Sequence, residues 1–286
     1  MNLIGLRNHY RKNLTDFSIR ESDFFLKILL KEYFNLEFTF INLNPDYKLK
    51  KSQINRILES LDKLKNNYPI DYIINRKLFL ENEFYVNEDV LIPRPETEEL
   101  TNWVIEDNKG ITEKKRVIDI ATGSGCIAIS LSFHNKNFET LGIDISKEAL
   151  KVCEINKKRI SSAVTFMQHD IRKEKVFSEK FDIIVSNPPY LTKNENSTIG
   201  KNVKFEPQIA LFAPSENPLL YYKKIINFSK INLNKNGVIY FEINPVYIRE
   251  INKILAENNL NDVNFRDDFM GKKRFLKIKL NGGDSV

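Results

Sequence analysis

The chain has 286 residues, 42% of them hydrophobic, and carries 44 Lys and Arg against 38 Asp and Glu for a formal net charge of +6. That length and apolar content exclude a disordered or fibrous chain and predict about two globular domains. The charge is compatible with an anionic partner, yet no dense basic block stands out, and Cys126 and Cys153 have neither a CxxC spacing nor a nearby His pair, which argues against a metal centre or a disulfide framework. Charged residues follow Met1-Asn-Leu-Ile-Gly-Leu-Arg7, and no later apolar run approaches the length of a membrane span, so a soluble cytoplasmic protein is expected.

Residues 1–75 read as a helical domain. Ser18-Ile-Arg-Glu21 fits a capping box, followed by Phe24, Phe25, Ile28 and Leu29 at helical spacing. A second helix over 49–66 places Ile54, Ile57, Leu58, Leu61 and Leu64 on one face. Residues 76–93 change character, with Phe79 and Leu80, then 84–86, then 90–92 predicting short strands of a connecting β-hairpin. The remainder, 94–286, is a second domain that opens on the helix started by Pro93-Arg-Pro-Glu-Thr97, with Leu100, Trp103 and Val104 on its apolar face. From Arg116 onward short β-branched runs alternate with amphipathic helices, the pattern of parallel βαβ units in an α/β fold. The expected strands are 116–120, 139–143, 164–168, 181–186, 237–243, 263–267 and 274–280. Only Phe269-Met-Gly-Lys-Lys273 joins the last two, too short for a crossover helix, so they are expected to pair antiparallel. Residues 281–286 are expected to fray.

Chemistry gathers where strands end. The fourth strand, Phe181-Asp-Ile-Ile-Val-Ser186, stops on Asn187-Pro188-Pro189-Tyr190, whose prolines hold Asn187 in extended backbone at a carboxyl end, the place where open α/β sheets bind ligands. Asn187 offers an acceptor and an NH2 donor, Pro188 a free carbonyl and Tyr190 a ring face, a set able to hold a planar group bearing an NH2. The first strand runs into Asp119-Ile-Ala121-Thr122-Gly123-Ser124-Gly125-Cys126 ahead of a helix, a loop of small residues whose backbone a ligand can approach. About 20 residues further on, Asp144 ends the second strand where a carboxylate can take ribose hydroxyls, and Asp170 ends the third where an adenine amine could be met. No Gly-Lys-Ser/Thr follows the loop, which disfavours a triphosphate ligand. Tight turns and helix N-caps would explain each feature singly.

Taken together these stretches resemble the HemK/PrmC family. The resemblance rests on Val90-Leu-Ile-Pro-Arg-Pro-Glu-Thr-Glu98, Asp119-Ile-Ala-Thr-Gly-Ser-Gly125, Phe181 to Tyr190, Phe205-Glu-Pro207 with Ala210-Leu211, and Met270-Gly-Lys-Lys-Arg274, spanning about 18–280. It implies a seven-stranded Rossmann-like class I S-adenosylmethionine-dependent methyltransferase domain behind an N-terminal helical bundle that recognises the substrate, and N5-methylation of the glutamine in the Gly-Gly-Gln loop of peptide chain release factors. S-adenosyl-L-methionine would lie against Ala121, Thr122, Gly123, Ser124, Gly125, Asp144, Asp170, Ile171 and Asn187. Asn187, Pro188, Pro189 and Tyr190 would bind the glutamine, with Asn187, Pro188 and Tyr190 catalytic. A monomer that needs no nucleic acid is expected. Neither His169 nor Glu206 is assigned as a base, and an Arg94–carboxylate pair near the cleft is expected. The chain departs from the family pattern at Ala121 and Asn75, both in place of glycine, at Ile171 in place of an aromatic, and at Asn217-Pro218-Leu219. The competing readings are a DNA adenine or rRNA guanine amino-methyltransferase, which would also need a basic strand-binding surface, and a non-catalytic binding module that has lost its cofactor.

Overall fold

A computed structural model describes residues 1–192, 195, 200–214 and 217–280, so the expected tail at 281–286 lies outside the described residues. The chain divides into two compact units, Met1–Asn75 with Gly200–Phe205, and Arg76–Ile199 with Glu206–Val286. The first unit is helical, with α1 (Leu3–Asn13), α2 (Ile19–Phe34), α3 (Phe40–Leu43), α4 (Lys51–Lys65) and α5 (Ile70–Ile74). The capping box at Ser18 forms, its hydroxyl taking the Glu21 N–H and the Glu21 carboxylate taking the Ser18 N–H. Leu3, Leu6, Tyr10, Leu26, Leu29, Ile57, Leu61 and Leu64 fill its core, and the buried Tyr10 hydroxyl donates to the Ile57 carbonyl at 2.6 Å. The α4 stripe faces this core as expected, whereas α2 is rotated from its expected face. Ser22, Leu26, Leu29 and Leu30 are buried and Phe24 is 55% exposed, while the Asp23 carboxylate accepts from Arg7 and Arg11 of α1. Asn75 ends α5 at φ +51°, a left-handed position that Asn tolerates better than most side chains, which accounts for its standing in place of glycine.

The second unit opens with a hairpin of β1 (Lys77–Phe79) and β2 (Asn82–Phe84). The third run, 90–92, forms no strand. Its Ile92 N–H is taken by the Glu206 carboxylate at 3.0 Å, and Pro93 and Pro95 have no N–H to extend a ladder. There follow α6 (Pro95–Asp107), β3 (Lys115–Ile120), α7 (Cys126–His134), β4 (Phe138–Asp144), α8 (Lys147–Ile160), β5 (Thr165–Gln168), β6 (Phe181–Ser186), α9 (Gln208–Leu211), α10 (Leu220–Asn232), β7 (Leu233–Glu242), α11 (Ile248–Glu257), β8 (Asp262–Asp267) and β9 (Lys273–Lys279). The seven strands of the main sheet lie in the order β5-β4-β3-β6-β7-β9-β8, parallel except for β9, which runs antiparallel to β7 and β8 as its short connection requires.

Alternation along the strands splits the core between two faces. Ile183, Val185 and Tyr240 pack with Leu100, Trp103, Val104 and Leu131, while Ile184, Ile239 and Phe241 pack with Tyr222, Ile225, Ile251 and Leu255. The sheet reverses its winding between β3 and β6, so the carboxyl ends of those two strands flank the crevice where a ligand is bound in such sheets. Among the described residues no helix is long and apolar enough to cross a membrane.

Candidate active site

At that crevice the loop after β3, the ends of β4 and β5, and the Asn-Pro-Pro turn after β6 line one cleft of about 1160 Å³, including its open mouth. Ala121, Thr122, Gly123, Ser124, Asp144, Asp170, Ile171, Asn187, Pro188 and Pro189 all reach it, as do His169, Arg172, Tyr221 and Thr97. The loop turns sharply, with Ala121 at φ +62°, Gly123 at +55° and Gly125 at +81°. Nothing lies within 4 Å of where a Cβ on Gly123 would project. Gly125 serves packing instead, since a Cβ there would meet Ile129, Phe166 and Cys153 at 3.2–3.3 Å, and it is absent from the cleft lining.

Asp144 fastens the loop. One of its oxygens accepts the Gly123 N–H and the other the Ser146 N–H, each at 2.9 Å, and Ser146 in turn caps α8. Burial raises the Asp144 carboxyl above the usual range, and these N–H donors oppose the rise. Beneath it Asp119 is fully buried and pushed up to about 7 by that burial, while Thr122 and the Ala128 N–H donate to one of its oxygens and the other has no partner. Asp170, expected to meet an amine, is chelated by the Arg172 guanidinium at 2.8–2.9 Å, which holds its carboxyl below the usual range. His169 has an unpartnered buried Nε2, and burial, then Lys175, lowers its pKa. Ile171 brings no ring to the cleft wall, but Tyr221 from α10 does.

The Asn-Pro-Pro-Tyr turn sits on a hydrogen-bonded array that ties together α6, β6 and β7. Asn187 Nδ2 donates to Thr97 Oγ1 at 3.0 Å, Thr97 Oγ1 to Glu242 Oε2 at 2.7 Å, and Tyr190 OH to Glu242 Oε1 at 2.9 Å. The hydroxyl of Tyr190, whose ring is expected to serve as a platform, is thereby tied to the buried Glu242. Tyr190 packs against the sheet core, outside the cleft lining, and burial with the Glu242 charge drives its phenol well above the ordinary range. The expected arginine pair forms between Arg94 and the buried Glu206, whose other oxygen receives the Ile92 N–H, so Glu206 braces the strand-like segment before α6. Sequence pattern singled out neither Thr97 nor Glu242 as a site residue. A signal existed at Glu242, a carboxylate inside the apolar run Val238-Ile-Tyr-Phe-Glu-Ile243, which must find donors once buried.

Ala121 is the one non-glycine residue that the loop holds at positive φ. A Cβ there costs on the order of 1–2 kcal/mol, and the greater freedom of an unfolded glycine recovers about half of that. Ala121→Gly is therefore expected to raise the thermal unfolding midpoint by about 1–2 °C in calorimetry. A lowered midpoint would show that the strain is absent.

Residues 6–74 match the PrmC N-terminal domain, and residues 101–205 match the Methyltransferase small domain. A release factor glutamine methyltransferase from Flavobacterium psychrophilum is 39% identical over 265 residues, spanning 92% of this chain and 93% of that protein. Another of that name from Bacteroides thetaiotaomicron is 37% identical over 238 residues, 82% of this chain and 84% of its own. Of solved structures, the hMettl16 catalytic domain in complex with MAT2A 3'UTR hairpin 6 shares the fold with a TM-score of 0.55 at 17% identity, covering 83% of this chain and 84% of that one. With identity at that level over nine-tenths of its length, the chain belongs to the release factor glutamine methyltransferase family.

Proposed function

We propose that this protein methylates the side-chain amide nitrogen of the glutamine in the Gly-Gly-Gln loop of peptide chain release factors, with S-adenosylmethionine as methyl donor. The observation that carries the reading is that Asn187 and the glycine loop open onto the same cleft at the reversal of the sheet, so an amide held by the first is beside whatever the second binds.

The residues present suit the cofactor. The open space over Gly123 admits a ligand against the backbone, Asp144 offers remaining acceptor capacity for ribose hydroxyls, and Ile171 and Tyr221 supply apolar and aromatic surface for a base. S-adenosylmethionine supplies an electrophilic methyl group carried on a sulfonium sulfur. A carboxamide nitrogen is a weak nucleophile because its lone pair is delocalised into the carbonyl. Asn187 Oδ1 and the Pro188 carbonyl accept the two N–H groups of the substrate amide, which aims its nitrogen and favours the positive charge that builds there. The alkylated nitrogen then sheds one proton to water. Glu206 is engaged by Arg94 and Ile92, and His169 is assigned to the cofactor wall, so neither is cast as base.

The helical unit is proposed to recognise the release factor, supported by its own complete core and by the absence from it of any residue assigned to cofactor or amide. A chain beginning near Arg76 that folds and binds cofactor is expected to show a raised KM for the intact release factor, and equal efficiency would exclude the recognition role. The protein is proposed to act as a cytoplasmic monomer without nucleic acid, in keeping with two buried free thiols. The test of the reaction is a single mixture of enzyme, methyl-labelled cofactor, release factor, DNA and rRNA. Label in the release factor supports this reading, and label in nucleic acid overturns it.

A further inference from the structure

We propose that Thr97 is a positioning residue, and that with Glu242 it fixes which way round the Asn187 carboxamide faces. The inference rests on the reading of Asn187 as the holder of the substrate amide. A threonine hydroxyl has one hydrogen. Thr97 Oγ1 lies 2.7 Å from Glu242 Oε2 and Tyr190 OH donates to Oε1. Burial raises the Glu242 carboxyl above its usual range, while these two hydroxyls and Arg274 oppose the rise. With a hydroxyl donor on each of its oxygens, Glu242 takes the Thr97 hydrogen. Thr97 Oγ1 is left as an acceptor toward Asn187, which must then present Nδ2, the atom found 3.0 Å away. With its NH2 turned inward, the side chain leaves Oδ1 as its remaining polar atom.

The array is held against reversal. Glu242 is 1% exposed and Thr97 3% exposed, so neither exchanges its partner for water. The second Glu242 oxygen is occupied by the Tyr190 hydroxyl, and Tyr222 OH donates to the Glu242 backbone carbonyl at 3.2 Å. Thr97 is fixed on α6 by its N–H to the Arg94 carbonyl and by Thr101 Oγ1, which donates to the Thr97 carbonyl at 2.8 Å. The consequence is selection. An acceptor at this point retains a group that offers N–H and repels a carbonyl, so a bound carboxamide is turned with its nitrogen toward Asn187. Thr97 and Glu242 thereby decide, through Asn187, which end of the substrate amide reacts.

The test uses the full-length protein and compares Thr97→Val, which keeps the shape and removes the hydroxyl, with Thr97→Ser, which keeps the hydroxyl and removes the methyl. Thr97→Val is expected to lower kcat for release factor methylation by roughly 10–100-fold, a fraction of the loss for a direct polar contact, with cofactor affinity by calorimetry unchanged. Thr97→Ser is expected to stay near the parent. In an Asn187→Ala background Thr97→Val should add no further loss, because its effect passes through Asn187. Independently of activity, the Asn187 side-chain NH2 protons, assigned by their absence in Asn187→Ala, should exchange slowly with solvent in the parent and in Thr97→Ser, and fast in Thr97→Val. If Thr97→Val does not fold, the same comparison is made between Thr97→Ala and Thr97→Ser. A Thr97→Val enzyme as active as the parent beside an inactive Asn187→Ala overturns this proposal alone, whereas a fully active Asn187→Ala overturns the amide-holding role itself. Equal losses in Thr97→Val and Thr97→Ser, or a loss that persists without Asn187, would assign Thr97 to packing.

Discussion

Asn187→Ala is expected to lower the rate of methyl transfer to the release factor about 10²–10³-fold, the scale for removing one preorganised polar contact from a developing charge. The side chain stands at the end of β6 on the cleft wall, with its amide already engaged by Thr97. Truncation removes the acceptor that aligns the substrate nitrogen and leaves the β3 loop and Asp144 untouched. Cofactor affinity should therefore persist while kcat falls. The variant should also remain folded, because Thr97 keeps its bond to Glu242 and Asn187 is only half-buried. Single-turnover methylation with calorimetric cofactor titration separates these effects, and a folded variant of near-parent activity would refute the assignment.

The second large effect is expected at Asp144. Hydrogen bonds to a charged group contribute about 1.5–3 kcal/mol, so Asp144→Ala should weaken S-adenosylmethionine binding by roughly 10–150-fold. The structure adds a reason beyond the ribose contact. Asp144 ties the Gly123 N–H to the start of α8, so its loss also frees the loop that must meet the ligand. Asp144→Asn retains the size of the side chain and an oxygen for one of the two N–H groups, and should lose less. Unchanged affinity in Asp144→Ala by calorimetry would remove Asp144 from the cofactor site.

The strands and most of this cleft were legible because each signal was local. β-branched runs that stop on Asp, or on Asn-Pro-Pro, mark both a buried strand and the side chain at its end, and the glycine loop lies within a few residues of β3. What was not legible depends on partners far along the chain. Thr97 and Glu242 are 145 residues apart, and only the placing of α6 against β7 brings them together. The same distance effect hid the fate of 90–92, whose β-branched composition suggests a strand until Glu206, 114 residues on, takes the Ile92 N–H. Nothing in Asn-Pro-Pro-Tyr states that the Tyr190 hydroxyl reaches Glu242, 52 residues further along the chain. On α2 the aromatic pair Phe24 and Phe25 outweighs Leu26 in the pattern, although Leu26, Leu29 and Leu30 are the side chains the core buries.

The most direct measurement of the central claim is tandem mass spectrometry of a release factor after incubation with the full-length protein and S-adenosylmethionine. The predicted result is the mass of one methyl group on the side chain of the Gly-Gly-Gln glutamine, absent when Asn187→Ala replaces the parent in a short incubation. A methyl group on any other residue, or an unmodified release factor beside an enzyme that demonstrably binds the cofactor, would contradict the account.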